Sequence, residues 1–80
     1  MKDKRVRALK KAEDVVDYIA FMVNEFALKH NLSMIQSFDY LNRYGGIKFL
    51  DKHYEVEHCE NPLITLQSLQ QICCREGGKL

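Results

Sequence analysis

Apolar residues recur at helical spacing along most of this chain. Between about Ala8 and His30 they fall at steps of three and four residues, which places them on one face of a long amphipathic helix. The stripe consists of Val15, Val16, Ile19, Met22, Val23 and Phe26, and it is widened by Tyr18, Phe21 and Leu28. A stripe this wide predicts neighbouring helices on more than one side.

A second helix is predicted to begin after Ser33. Ser33 and Gln36 have the S-x-x-Q spacing of a capping box, in which each residue satisfies a free amide of the other. The predicted apolar side of this helix is Met34, Ile35, Phe38, Leu41 and Tyr44. Gly45 and Gly46 are predicted to end it, because glycine adopts the left-handed geometry that side chains resist.

Two further helices are predicted in the second half of the chain. The first is short and runs from Ile47 to Tyr54, and an acidic connector from Glu55 to Glu60 follows it. Asn61 and Pro62 then supply a capping side chain and a proline at the first helical position. The last helix carries Leu63, Leu66, Leu69, Ile72 and Cys73 at helical spacing and is predicted to stop at Gly77 and Gly78.

These elements predict an all-α fold, a compact bundle of about four helices of which two are long and two short. Residues 1–11 are interpreted as a basic N-terminal arm or helix extension, residues 12–78 as a single helical domain and residues 79–80 as a tail. Eighty residues bury only about 60% of the surface of the unfolded chain, so the core is expected to be thin.

The cysteine content and the length of the apolar runs indicate where in the cell the protein is expected. The three cysteines are odd in number, and two of them are adjacent, which is a poor basis for a disulfide framework. Free thiols in a reducing cytosol are the simpler interpretation, so we expect a cytoplasmic protein. The longest apolar run, residues 18–23, is far below the roughly 20 residues that a membrane span needs, so no membrane association is expected.

Positive charge is concentrated at the N-terminus although the net charge is only +1. Half of all lysine and arginine lies in the first eleven positions, and Lys4, Arg5, Arg7, Lys10 and Lys11 are candidate contacts to nucleic acid. The segment from Ser33 to Tyr54 also has the order of a helix-turn-helix unit. Its second helix, however, offers a face of mixed charge formed by Lys48, Asp51, Lys52 and Glu55, so nucleic-acid binding is the alternative hypothesis.

No catalytic site or cofactor site is predicted. His53, His58 and Cys59 are the densest set of potential ligands, but they lack the paired spacing of zinc sites. Cys73 and Cys74 are adjacent on a helix and cannot both face one metal, and Cys73 is expected in the core. Cys59 has His58 beside it, but neighbours in sequence seldom have the geometry of a nucleophile and its base. We therefore expect a protein that is not an enzyme and that has no metal or cofactor.

The order of several residues in this chain resembles the sequence pattern of a known protein family. They are Phe21, Phe26-Ala27, His30 and Leu32-Ser33, then Tyr40-Leu41 with Tyr44-Gly45-Gly46-Ile47, then Phe49-Leu50, Tyr54, Val56 and His58, and a last helix ending Arg75-Glu76-Gly77-Gly78. This order resembles a family of short bacterial helical proteins catalogued as a domain of unknown function. The likeness runs from about Val15 to Leu80, and its most specific part is the spacing of Gly46, Leu50, Tyr54 and His58.

The resemblance implies a small cytoplasmic helical protein. Some members are encoded beside proteins that resemble ADP-ribosyltransferases, which implies a toxin-neutralising or accessory partner. This chain departs from the family pattern at Glu57-His58-Cys59, where leucine-histidine-threonine is usual, and at Gly45, which is an additional glycine. Within the motif, Gly46 is expected to free the turn, and His58 is expected to form a hydrogen bond across the following turn that fixes the start of the last helix.

The leading functional hypothesis is a protein-protein interaction module that binds another protein or itself. Its basis is an excess of apolar side chains over what a four-helix packing needs. The predicted partner surface is formed by Tyr18, Phe21, Tyr40 and Leu63, with Leu28 and Ile64 extending the apolar faces further.

Overall fold

The helices predicted from the apolar pattern are present in the computed structural model, which describes residues 4–80 and their side chains from Lys11 onward. In this range there are five helices and no strand. They are α1 (Lys4–His30), α2 (Met34–Arg43), α3 (Gly46–Lys52), α4 (Tyr54–Glu57) and α5 (Pro62–Arg75). The prediction of an all-α fold is confirmed. No described helix combines the length and the apolar character that a bilayer span requires.

The chain reverses direction between α1 and α2 through two local capping motifs. Asn31 adopts a left-handed conformation (φ 55°), and the Leu32 amide donates to the Ala27 carbonyl at 2.9 Å, which satisfies a carbonyl at the end of α1. The Ser33 hydroxyl then accepts from the Gln36 amide at 3.1 Å, and the Gln36 side chain accepts from the Ser33 amide at 2.9 Å. The predicted capping box is confirmed, and it starts α2 back along α1.

The rotation of α2 about its own axis differs from the prediction. Ser37 and Leu41 are completely buried, and the Ser37 hydroxyl donates to the Val23 carbonyl of α1 at 2.7 Å. Of the predicted apolar side, only Leu41 is fully buried and Tyr44 is partly buried, whereas Met34, Ile35 and Phe38 are exposed. The prediction was wrong because a small polar residue, which a hydrophobic pattern places outside, fits and is satisfied at the contact between the helices.

The two glycines between α2 and α3 have different structural roles. Gly45 holds the left-handed conformation (φ 86°), which the sequence had assigned to both residues. Gly46 is instead the first residue of α3 and is buried, and a Cβ atom there would lie 2.8 Å from Cδ2 of Leu41. Gly46 therefore permits the close packing of α3 on α2, and Gly45 makes the turn.

The hydrophobic core lies where α1, α2, α3 and α5 meet. Each contributes completely buried side chains, and the buried cluster consists of Met22, Val23, Phe26, Tyr40, Leu41, Leu50, Leu66, Leu69 and Cys73. The short helix α3 contacts α1, α2 and α5, which explains how seven residues remain helical although an isolated helix of that length is unstable in water.

The second half of the chain contains one more helix than predicted. α3 ends at Lys52, and the chain bends at His53 before the single turn of α4 forms where the acidic connector was expected to begin. α5 begins as predicted, since the Asn61 side chain accepts from the Leu63 amide at 2.9 Å and Pro62 occupies the first turn. The predicted connector is thus helical over its first three residues.

The end of α5 is fixed by contacts with α2. Gly77 is left-handed (φ 95°), and the Gly78 amide donates to the Cys73 carbonyl at 2.8 Å. The Tyr40 hydroxyl donates to the Gly78 carbonyl at 2.9 Å. A Cβ atom on Gly78 would lie 2.7 Å from Cδ2 of Tyr44 and 3.0 Å from the Cys73 carbonyl oxygen.

Replacing Gly78 with Ala should therefore lower the free energy of unfolding by about 1–3 kcal/mol, because the added methyl group must displace the Tyr44 ring or the chain end. Urea unfolding followed by circular dichroism measures the change. Lys79→Ala is the matched control, since Lys79 is exposed, and should change stability by less than about 0.5 kcal/mol. Equal stability of the two variants would contradict the close contact.

Candidate functional site

The motif formed by Gly46, Leu50, Tyr54 and His58 runs from the core to the surface. Leu50 is completely buried and Gly46 is buried against α2, whereas Tyr54 is partly buried and His58 is exposed. The motif therefore does not enclose a pocket. Its first two members hold α3 in place, and its last two form a surface contact.

The His58 ring is stacked on the Tyr54 ring. The ring centroids are 4.3 Å apart and the planes differ by 8°. His58 Nδ1 donates to the Tyr54 carbonyl at 2.5 Å, one helical turn back. The expected hydrogen bond across the following turn is therefore corrected: the His58 side chain binds back to α4, on a carbonyl that also accepts the His58 amide at 3.0 Å, and does not reach toward α5.

The Cys59 thiol donates to the Glu55 carbonyl at 3.8 Å and also lies beside the His58 ring. The Cys59 sulfur is 3.6 Å from Nε2 and 4.0 Å from Nδ1 of the His58 ring. A sulfur on the lone-pair axis of Nε2 would lie much farther from Nδ1, so these similar distances place the thiol off that axis. This is not the aligned geometry in which a nucleophilic cysteine passes its proton to a base.

Two buried hydroxyl groups lie where α1 meets α5. Tyr18 Oη and Thr65 Oγ1 have no hydrogen-bond partner within the described side chains. Burial raises the pKa of Tyr18, while the neighbouring Thr65 hydroxyl lowers that pKa and the Glu57 carboxylate raises it. The two hydroxyls are thus near each other without a hydrogen bond of good geometry, and a tyrosine with a raised pKa stays neutral at pH 7.

The cysteines and histidines are dispersed. Among residues 11–80, no group of three His, Cys, Asp or Glu side chains is placed to hold a metal ion. Cys73 is in the core as predicted, and burial raises the pKa of its thiol to about 11, so this thiol stays protonated at neutral pH. Cys59 and Cys74 are exposed free thiols.

Of the four residues of the predicted partner surface, two are largely covered and two are exposed. Tyr40 is only 8% exposed, since its ring packs on Phe26 and its hydroxyl binds Gly78, so its assignment to a partner surface is corrected. Tyr18 is also mostly covered, because its ring packs edge-on against Tyr54 at 5.5 Å. Phe21 and Leu63 are exposed.

The candidate contacts to nucleic acid are only partly within the described side chains. Lys11 forms an ion pair with Glu55 of α4 at 2.6 Å, and this hydrogen-bonded pair raises the pKa of Lys11 and lowers that of Glu55. The side chains of Lys4, Arg5, Arg7 and Lys10 lie outside the described ones. On α3 the exposed charged residues are Lys48, Asp51 and Lys52, the mixed set expected from the sequence.

An apolar groove lies between α1 and α2 in the described part of the chain. It has a volume of about 520 Å³ and is open to solvent. Ile35 is 83% exposed and Val16 is 64% exposed, although both are large aliphatic side chains. The groove is lined by Val16, Ile19, Ala20, Val23, Met34, Ile35, Phe38 and Asp39.

The rim of the groove carries negative charge. Asp39 lies on the α2 side, where its carboxylate is 3.4 Å from the Arg43 guanidinium. On the α1 side a shallower depression continues from Val16 to Glu13 and Asp17, both of which are exposed. Apolar floor and acidic rim together make this groove the candidate functional site.

Sequence reasoning missed the groove because it assigned its residues to the core. Val16, Ile35 and Phe38 were placed on inward-facing stripes, which is the usual position of such residues at helical spacing. The available signal was the number of apolar residues in α1 and α2, which exceeded what one inward face can hold. That excess was recognised, but it was assigned to other residues.

Comparison with protein-family models assigns the chain to a family. A family model described as "Protein of unknown function (DUF3791)" matches residues 13–74, which is more than half of the sequence. The chain belongs to the DUF3791 family. No curated protein and no solved structure matches it.

The matched segment of this DUF3791 member contains the whole groove and the motif that ends at His58. The basic residues of positions 1–11 lie outside the match, as the resemblance led us to expect. The ending Arg75-Glu76-Gly77-Gly78, which formed part of the resemblance, also lies outside it. The match therefore bears on the groove and not on the basic N-terminus.

Replacing His58 with Ala should lower the free energy of unfolding of this DUF3791 protein by about 1 kcal/mol, because the stacked ring and the Nδ1 hydrogen bond are both lost. Chemical denaturation measures this change. Cys59→Ser serves as the control and should remain within about 0.5 kcal/mol of the wild type. A His58→Ala protein of unchanged stability would contradict the structural role of the histidine.

A second prediction concerns acid stability. His30 Nε2 is buried and has no hydrogen-bond partner among the side chains that the structure describes. Burial, with a smaller effect of Lys29, lowers the pKa of His30 from its ordinary value of 6.5. Below about pH 6.5 the unfolded chain therefore binds a proton that the folded chain resists, so stability falls as the pH falls toward the folded-state pKa. In urea titrations between pH 7.5 and about 5, His30→Phe should lose less stability than the wild type. Parallel curves would contradict the burial effect.

Proposed function

We propose that this protein is a non-catalytic protein-interaction module and that its docking surface is the α1–α2 groove. One observation carries the proposal, namely that the exposed aliphatic and aromatic side chains of two helices line one continuous groove of about 520 Å³. On a monomeric soluble protein, contiguous apolar surface of this kind marks a binding site more often than scattered apolar residues do.

The physical basis is incomplete burial of α1. One side of its stripe, including Met22 and Phe26, is completely covered by the core. The other side, at Val16 and Ala20, borders only α2 and solvent. Covering Val16, Ile35 and Phe38 would remove apolar surface from water at about 25 cal/mol per Å², which is the driving force for docking.

The absence of catalysis is part of the proposal. It is supported by the Cys59 thiol, which donates to the Glu55 carbonyl and lies off the lone-pair axis of His58, and by the raised pKa of the buried Cys73 thiol. The accessory or toxin-neutralising role that the family resemblance implied is one form of such a module. A protein resembling an ADP-ribosyltransferase is therefore the first partner to test.

A groove variant and a matched control test the docking surface. Ile35→Glu introduces a charge into the groove, whereas Leu28→Glu replaces another highly exposed aliphatic residue, on α1, that is not among the groove-lining residues. Because both positions are exposed, each variant should keep the wild-type stability within about 0.5 kcal/mol. In affinity capture from the cells that produce the protein, Ile35→Glu should lose the proteins retained by the wild type, and Leu28→Glu should keep them.

Retention of the same proteins by Ile35→Glu would contradict docking in the groove. Loss of the same proteins by Leu28→Glu would also contradict it, since the effect would then depend on any added charge on α1. Wild-type protein that retains nothing beyond the bead control would contradict the interaction module as such.

A further inference from the structure

The proportions of the groove fit one helix of another protein. On α1 it extends from Val16 to Val23, and seven residues at 1.5 Å each span about 10 Å, or two helical turns. α2 forms the opposite wall with Met34, Ile35 and Phe38. An amphipathic helix laid between two such helices fills the groove with apolar residues spaced three and four apart, which is a common mode of peptide recognition.

The lining is unlike that of a small-molecule site. Such sites combine apolar walls with several polar groups that converge on the ligand and fix its orientation. Here Asp39 is the only polar residue that lines the groove within the described side chains, and its carboxylate is oriented toward Arg43. A surface with apolar walls and charge restricted to its edges suits a helix with an apolar face and charged flanks.

The charges on the rim indicate which residues should flank the apolar stripe of a docked helix. Glu13 and Asp17 lie along the α1 edge and Asp39 lies on the α2 edge. Because Arg43 is paired with Asp39, the unpaired carboxylates of the rim within the described side chains are those on the α1 edge. Lysine or arginine beside the apolar stripe of a docked helix would face Glu13 and Asp17 there, whereas glutamate or aspartate would meet like charge. Complementary potentials of this kind govern association rate and partner choice.

The same charges disfavour a second copy of this chain in the groove. In a symmetric dimer each copy uses the same surface, so Glu13, Asp17 and Asp39 of both copies would gather at one interface. Juxtaposed like charges oppose such an association. The partner is therefore a different protein.

We propose that the α1–α2 groove binds an amphipathic helix of another protein whose apolar stripe is flanked by basic residues. This inference rests on the proposed function and adds the chemistry of the partner to it.

Two synthetic helical peptides of equal length test the inference. They share leucines at positions i, i+4, i+7 and i+11 and differ only in their flanks, which are lysine in one and glutamate in the other. Fluorescence anisotropy with the full-length protein should show about tenfold tighter binding of the lysine peptide, since several exposed charge pairs each add a small amount. The preference should shrink as salt is raised.

Variants of the protein separate the contribution of the acidic rim to peptide affinity from that of the apolar lining. Replacing Glu13 and Asp17 together with Gln should weaken binding of the lysine peptide about threefold and leave the glutamate peptide no weaker. Ile35→Glu should abolish binding of the lysine peptide, because a charge then lies in the apolar floor. Leu28→Glu should change neither peptide's affinity by more than about twofold.

The possible results distinguish this inference from the proposed function. Equal binding of both peptides, abolished by Ile35→Glu, would overturn the basic partner and leave the groove as a docking surface. Binding of neither peptide, or binding that Ile35→Glu does not change, would overturn both. Light scattering that shows a concentration-dependent dimer, dispersed by Ile35→Glu, would identify a second copy as the occupant and overturn the inference about a different protein.

Discussion

The hydrogen bond from the Ser37 hydroxyl to the Val23 carbonyl holds α2 in one rotation against α1, and that rotation decides which side chains of α2 are exposed. This bond is completely buried and 2.7 Å long, and it joins residues fourteen positions apart. A small side chain at this crossing lets α2 lie close to α1, since the distance between packed helices depends on the residues at the contact. With Ser37 turned inward, Leu41 enters the core, and Ile35 and Phe38 are left at the surface.

The remaining contacts reinforce this orientation. The Tyr40 hydroxyl binds the Gly78 carbonyl, so the inward side of α2 also holds the end of α5. Burial raises the pKa of Tyr40 to about 12, which keeps this donor protonated throughout the physiological range. Gly46 then allows α3 to close against Leu41. Turning α2 to bury Ile35 would break both hydrogen bonds and leave polar groups unpaired in the core, which is unfavourable.

Local signals in the sequence predicted local structure well. The capping box at Ser33, the cap and proline at Asn61 and Pro62, and the glycine stops each depend on residues a few positions apart, and each is present. The rotation of α2 could not be predicted in this way. It depends on partners that Ser37 and Tyr40 find in distant parts of the chain, while a hydrophobic pattern assigns serine to the outside.

The same limit applied to the candidate site. The sequence indicated more apolar surface than a small core can use, but Tyr40 proved to be a core residue, and Ile35, assigned to the core, proved to be exposed. The most specific motif packs α3 through Gly46 and Leu50 and ends in a contact between Tyr54 of α4 and His58, the residue that follows α4. What the DUF3791 match covers is therefore a scaffold that presents a groove.

The orientation of α2 in solution is the central claim, and methyl NMR with a soluble paramagnetic probe tests it most directly. The probe broadens methyl signals in proportion to their exposure, and Leu41 provides an internal reference for complete burial on the same helix. The account predicts strong broadening of the Ile35 methyl signals and little change at Leu41. Protection of Ile35 equal to that of Leu41 would show that α2 is turned the other way and that no groove exists.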